Sequence, residues 1–438
     1  MTNLLGLLIE QNPHWEGKMP DTGVRRSAYL KKIQTYYDTG EIVVLNGVRR
    51  AGKTTLLLQT IQELIQKGAN PKSILFVNCD EPQVHNLNDP MEEILQVYRS
   101  DVYGQDNVTL IFDEIQTIPE WQRWIKAWYD RKKYRIIISG SSSYLLDAGL
   151  STKISGRYLK VPVYPLDFAE YLAFHHQRIP ADRLEETADK FTLLTYMRQY
   201  LQYGGFPASA RIADESVRSD HLAAYFDSIL FRDIEGLHDI RSPGGLRKLL
   251  IYLITNIASP FSYRNLAKLF GLDPRIAADY ISFAEEANLL FEIQNFSYSL
   301  KAQNTGSKKI YTIDGGLRNA VAFSFSADEG RLVENAVFIQ LKRMGFLPYF
   351  WRGTNEVDFV VQKKDRSLIS INVCYTDAIP EREAAGLHEF AEAFAGQTVS
   401  LMMITKDTEK EEGGIVYVPL WKWMLAGGNP GSLLPLPV

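Results

Sequence analysis

The stretch Gly47-Val48-Arg49-Arg50-Ala51-Gly52-Lys53-Thr54 decides the fold. Its spacing is G-x-x-x-x-G-K-[ST], a phosphate-binding loop. Both flanks agree with that reading. Glu41-Ile42-Val43-Val44-Leu45-Asn46 reads as a buried strand, and Thr55-Leu56-Leu57-Leu58 opens an apolar-periodic helix running to about Lys67. A strand, a glycine turn and a helix N-terminus together make an anion site. The glycines let backbone N–H groups turn inward onto phosphate oxygens, and the helix dipole favours the negative charge. Lys53 is expected to reach the β- and γ-phosphates of ATP and the Thr54 hydroxyl to hold Mg²⁺. Gly47, Arg50, Gly52 and Thr55 complete the expected nucleotide cradle.

A second motif follows after one intervening strand, Ile74-Leu75-Phe76-Val77-Asn78. Thr109-Leu110-Ile111-Phe112-Asp113-Glu114 is an apolar run ending in two carboxylates. They fall at the C-terminal edge of a parallel strand, where doubly wound sheets bind ligands. Asp113 is expected to hold the Mg²⁺ shell, and Glu114 to orient and deprotonate the attacking water. Trp121, Trp124, Ile125 and Trp128 recur at i, i+3, i+4, i+7 and read as a core stripe. Tyr134 to Ser139 is a further buried strand, followed by Gly140-Ser141-Ser142-Ser143. Ser139 then lies beside the acidic edge, as a contact to the γ-phosphate or the water, or as a plain strand end. Arg157, in Ser155-Gly156-Arg157-Tyr158, has two readings. It is an arginine finger acting on a neighbouring subunit's γ-phosphate, or a surface salt bridge.

The composition bounds the rest. The chain has 438 residues, 45% hydrophobic and 23% charged, which suits two to four domains with real cores. Its formal net charge of -4 gives no basic field that advertises nucleic acid. The two cysteines, Cys79 and Cys374, cannot by themselves make a disulfide framework or a metal site, and they suit a reducing cytoplasm. No apolar run reaches the length of a membrane span, and the apolar start at Leu4-Leu5-Gly6-Leu7-Leu8 reads as a packed helix.

From Pro165 to about Asp239 the pattern is helical, broken at Gly204-Gly205. Pro243 to about Ala322 reads as helix, helix, helix and hairpin, the order of a winged helix-turn-helix. The short helix is placed over Phe261 to Phe270, the next over Arg275 to Ala287, and the paired strands over Leu289–Phe296 and Lys308–Ile313. The recognition-like helix carries Asp279, Glu285 and Glu286 against Arg275, which is poor for phosphate contact; only Lys301, Lys308 and Lys309 supply positive charge, on the wing. A structural or protein-contact role therefore fits this part better than base reading. From about Glu329 the chain is α/β again, with Glu334 on a helix, Phe350 to Val361 as one strand carrying Asp358, and Ser370 to Tyr375 as the next strand.

Over nearly its whole length the chain resembles predicted ATPases of the AAA+ superfamily in archaea and bacteria. The resemblance rests on Gly47 to Thr54, Phe112-Asp113-Glu114-Ile115-Gln116 with Trp121, Ser139-Gly140-Ser141-Ser142, and Gly156-Arg157-Tyr158. It implies an α/β multidomain chain. A P-loop ASCE/AAA+ parallel-sheet domain spans 1–172, a helical lid 173–240, a winged helix 241–322, and a restriction-endonuclease-like α/β domain 323–438. Nucleases of that type place an acid on one strand and E-x-K on the next. Here Asp358 fits the first position, but the second reads Asn372-Val373-Cys374, so the fold is expected without nuclease chemistry. Glu334, Asp358 and the Asn372/Cys374 strand should still lie together. The expected activity is ATP hydrolysis with ATP and Mg²⁺ as cofactors, in a cytoplasmic protein without membrane contact. The partner is DNA or protein, and a homo-oligomer follows if Arg157 works across subunits. The alternative is a nucleotide-gated signalling or scaffold protein with little turnover.

Overall fold

A computed structural model describes residues 4–141, 154, 156–177, 187–299, 301, 303, 306–322 and 329–428. Ser142, Ser143 and Ser155 of the motifs above, most of the stretch before Arg157, and the tail from residue 429 lie outside the described residues. The chain divides into two units: the described residues up to Val163 with Glu286–Asn288, and the remainder. No described helix is long and apolar enough to cross a membrane.

The first unit runs α1 (Leu4–Gln11), α2 (Ser27–Thr39), β1 (Ile42–Asn46), α3 (Lys53–Gln66), β2 (Ile74–Asn78), α4 (Pro82–His85), α5 (Pro90–Asp101), β3 (Val108–Asp113), α6 (Trp121–Asp130), β4 (Tyr134–Gly140) and β5 (Tyr158–Pro162). The strands pair in parallel in the order β2-β3-β4-β1-β5. Helix-covered parallel strands are buried on both faces, so they read as unbroken apolar runs. With β4 between β1 and β3, the loop after β1, the acids after β3 and Ser139 on β4 come to the same sheet edge. The edge strand β2 is sealed by Asn12, whose side chain donates to Phe76 O (2.8 Å) and accepts from Phe76 N (2.7 Å). On α6, Trp121, Ile125 and Trp128 are buried and Trp124 packs beside them; Trp128 stacks on Phe112 at 5.7 Å. The tryptophan stripe is core.

The second unit begins with helices at Phe168–Phe174, Thr187–Tyr203 and Glu215–Ser228, the last continuing as a π-helical stretch to Glu235. The break at Gly204-Gly205 is a close approach: a Cβ on Gly204, at φ 73°, would lie 1.9 Å from an Asp314 carboxylate oxygen. Helix Pro243–Thr255, β6 (Pro260–Phe261), helices Tyr263–Phe270 and Pro274–Glu286, β7 (Leu290–Gln294) and β8 (Lys308–Thr312) follow, with the strands antiparallel in the order β6-β8-β7. The short helix starts at Tyr263, not Phe261, because Phe261 pairs with Lys308 and Ser262 caps the helix on Asn265 N.

Two expectations fail here. Lys308 and Lys309 are not surface cations of a wing: they are 5% and 1% exposed. Adjacent strand residues face opposite ways, and each lysine meets carboxylates on its own side, Lys308 at Glu292 (3.6 Å) and Lys309 at Glu356 (2.7 Å). Phe350 to Val361 is not one strand either. It is a hairpin of β9 (Tyr349–Arg352) and β10 (Glu356–Gln362). The turn Gly353-Thr354-Asn355 is held by the Glu389 carboxylate, which accepts from Thr354 N (2.7 Å) and Asn355 N (2.9 Å). With β11 (Leu368–Cys374), β12 (Val399–Thr405), β13 (Lys410–Glu412) and β14 (Ile415–Pro419) they make a mixed six-stranded sheet, β13-β14-β12-β11-β10-β9.

Candidate nucleotide site

The buried strand β1 ends at Asn46, and the chain turns at once. Only glycine fits at Gly47, since an added Cβ would sit 2.0 Å from Val163 O. Arg50 and Gly52 take positive φ, 70° and 96°, in the loop that leads into α3. The helix starts at Lys53, two residues earlier than its apolar pattern suggests, because polar Lys53 and Thr54 form its first turn. Lys53 is 4% exposed, and its ammonium donates to Gly47 O (3.0 Å) and Val48 O (3.3 Å). It also lies 3.6 Å from a Glu114 carboxylate oxygen.

Asp113 is buried at the end of β3, and its two oxygens accept from the Thr54 hydroxyl (2.5 Å) and the Ser139 hydroxyl. Ser139 in turn accepts from Glu114 N at 3.2 Å. Burial and then the neighbouring Glu114 charge push the Asp113 carboxyl above its usual range, against the two hydroxyls and Lys53. Burial acts on Glu114 in the same sense, but Lys53, the Gln116 amide and Arg49 outweigh it and hold Glu114 below the usual range. Gln116 Nε2 donates to the second Glu114 oxygen at 2.5 Å. Two adjacent carboxylates are thus driven apart in proton affinity by their surroundings, the pattern of divided roles. The pair Glu114–Gln116 was not legible as a contact, since Glu114 adopts a left-handed φ of 50° that no motif spacing reveals.

Lys53, Thr54, Asp113, Glu114 and Ser139 therefore converge. Arg50 is exposed on the loop and Thr55 lies in the first helical turn. Arg157 does not join them. It precedes β5, whose Tyr158 pairs with Ile42 at the opposite end of β1. Its guanidinium pairs with Asp130 at 2.8 Å and lies over the Tyr129 ring at 5.6 Å.

A second charged cluster stands in the other unit. Lys309 Nζ lies 2.7 Å from Glu356, 3.2 Å from Glu334 and 3.8 Å from Asp358. Tyr311 OH donates to Glu334 at 2.6 Å. Asp358 accepts from Val373 N (2.8 Å), and Asn372 accepts from Asp358 N (3.0 Å). The Asn372 amide nitrogen donates to the carbonyls of Glu356 (3.3 Å) and Glu383 (3.0 Å). A glutamate there could not donate those bonds. Burial lowers the Lys309 ammonium's proton affinity, but Glu334, Asp358 and Glu356 reverse that, and the net direction is up. Burial, then Glu334, push Asp358 well up. Glu356 was not singled out from the sequence and Lys309 was read as a wing cation, although Glu356-x-Asp358 on one strand puts both acids on one face. Among the described residues no group of three or more acidic, histidine or cysteine side chains is arranged to hold a metal ion.

Comparison with known proteins places these features. Residues 39–172 match an AAA domain, 194–328 a domain of unknown function (DUF8612) and 329–423 another (DUF4143). An uncharacterized protein of Haemophilus influenzae is 28% identical over 79% of this chain and 85% of its own. The Walker-type ATPase PABY2304 of Pyrococcus abyssi aligns with 70% of this chain and 99% of its own at a TM-score of 0.47 and 14% identity, too distant to bear on function. The uncharacterized protein MJ1544 of Methanocaldococcus jannaschii is 32% identical over 88% of both chains. The chain belongs to the family of that protein, and its residues 39–172 are an AAA-type P-loop domain, a nucleotide-binding ATPase fold.

Proposed function

We propose that the chain binds ATP with Mg²⁺ and hydrolyses it, and uses the nucleotide state to change a contact with a macromolecular partner. The observation that carries this reading is the convergence of Lys53, Thr54, Asp113, Glu114 and Ser139 behind the loop. Thr54 and Asp113 fit Mg²⁺: both offer hard oxygen atoms, and the Thr54 hydroxyl lies 2.5 Å from an Asp113 carboxylate oxygen. Mg²⁺ held there would neutralise phosphate charge. Lys53 leaves its loop carbonyls for the phosphates, Ser139 orients Asp113, and Glu114 takes the proton of the attacking water. Lys53→Ala deletes a charge-assisted contact worth about 1.5–3 kcal/mol, so ATP affinity should fall about 10- to 150-fold by calorimetry. Unchanged affinity would remove the loop assignment.

Arg157 keeps both of its readings, a finger acting across subunits or the surface salt bridge with Asp130, and activity separates them. If it is a finger, Arg157→Ala should lower turnover without weakening ATP binding, and its exposed pair with Asp130 should cost at most about 1 kcal/mol of stability. Specific activity that does not change with protein concentration in the wild type would count against the arrangement.

Residues 241–322 are read as a winged helix and 323–438 as an endonuclease-like domain without nuclease activity. The burial of Lys308 and Lys309 favours protein contact over DNA, because it removes two of the three cations a wing would offer phosphate. Around Asp358 the ammonium of Lys309 stands among the carboxylates, and Asn372 is spent on backbone groups. Mg²⁺-dependent cleavage of DNA, abolished by Asp358→Ala, would overturn this. Turnover stimulated by single- or double-stranded DNA would restore DNA as the partner.

A further inference from the structure

Arg26, far outside the loop motif, is 2% exposed, and its guanidinium donates to Ala51 O at 3.0 Å. We infer that Arg26 is a positioning residue for the phosphate loop: by holding the Ala51 carbonyl outward it aims the Gly52 N–H into the anion cradle. This rests on the ATP reading above.

The physical reason is the planarity of the peptide. In a trans peptide the C=O of one residue and the N–H of the next point in opposite directions, and the chain has no cis bond among its described residues. A carbonyl pulled to one side therefore fixes the amide on the other. Without such a hold, the 51–52 peptide can rotate. Gly52, at φ 96°, has no side chain to resist it. A rotated peptide would present a carbonyl oxygen to the phosphates and repel them.

The rest of the arrangement holds Arg26 in place. Gln59 on α3 accepts from Arg26 N (3.3 Å) and donates to Thr22 O (3.2 Å) and Val24 O (2.9 Å). Gln62, one turn on, donates to Pro20 O at 2.9 Å, and Arg25 pairs with Glu63. The strap Pro20–Arg26 is thus tied to the same helix whose N-terminus closes the loop. The guanidinium also lies over the Tyr29 ring at 4.4 Å. A planar fork can stack flat on an aromatic face and donate in its own plane at once; a tetrahedral ammonium has no such plane. Burying a guanidinium is costly unless its donors are used, and here one is used on the loop itself.

The test compares wild type, Arg26→Met, Arg26→Lys and Lys53→Ala by ATP calorimetry and steady-state kinetics. Arg26→Met should raise Kd and KM about tenfold, with kcat at saturating ATP within about twofold, since the groups that touch reacting atoms are unchanged. Arg26→Lys should recover part of the affinity. A merely structural role would lower the active fraction, and so kcat, and leave KM alone. If Arg26→Met loses its cooperative thermal transition, Gln59→Ala carries the test. It loosens the strap without deleting the guanidinium, and should raise KM in the same direction. Wild-type KM in the folded variant overturns the assignment. Wild type that binds no ATP removes the nucleotide reading itself, whereas ATP binding equal in wild type and Arg26→Met removes only the role of Arg26.

Discussion

Glu114→Gln is expected to bind ATP as the wild type does and to turn it over about 10²–10⁴-fold more slowly, the usual range for a lost general base. The glutamine amide fills the same volume and its oxygen still accepts from Gln116, so the loop keeps its shape. What it cannot do is take a proton. The variant also removes the anion that faces Lys53 at 3.6 Å. Lys53 then has less to give up when phosphates arrive, and affinity should stay level or rise. Calorimetry gives the affinity, and single-turnover phosphate release gives the rate. Wild-type turnover would move the base elsewhere. Affinity falling in step with the rate would make Glu114 a prop for the loop.

The nucleotide half was legible because its chemistry is contiguous. Gly47 to Thr54 is one run, and Asp113-Glu114 is another, each following an apolar strand of the expected length. Position in a parallel sheet then does the rest, since strand ends share an edge. Contacts that depend on a backbone twist were not legible. Gln116 meets Glu114 beside a left-handed residue 114, and Arg26 meets Ala51 from a strap tied along α3. In the second unit the failures have two causes. A lysine pair reads as solvated unless its partners are known, and the partners of Lys309 come from a helix and from β10. The hairpin at Gly353 was hidden because apolar residues continue on both sides of a three-residue turn.

Lys309→Met should destabilise the C-terminal sheet by about 3–5 kcal/mol, the cost of breaking a buried ion cluster from one side. Methionine keeps the volume, so the loss is electrostatic rather than a cavity. Glu334, Glu356 and Asp358 would face one another without the ammonium that now lies within 3.8 Å of all three. The pH dependence gives the sign. Asp358 already has its carboxyl pushed up by burial and Glu334, with Lys309 pulling down. Without Lys309, the native state holds more protons than the unfolded chain above about pH 4, so the variant loses stability as pH rises from there through the raised value. The deficit should be small near pH 4 and full at neutral pH. Thermal unfolding at both values measures it, and added ATP marks which transition belongs to the nucleotide unit, because a ligand stabilises only what binds it. An equal deficit at both pH values would mean lost packing. No deficit at either would mean that the three carboxylates do not need the ammonium, and the metal-free reading of that centre would lose its support.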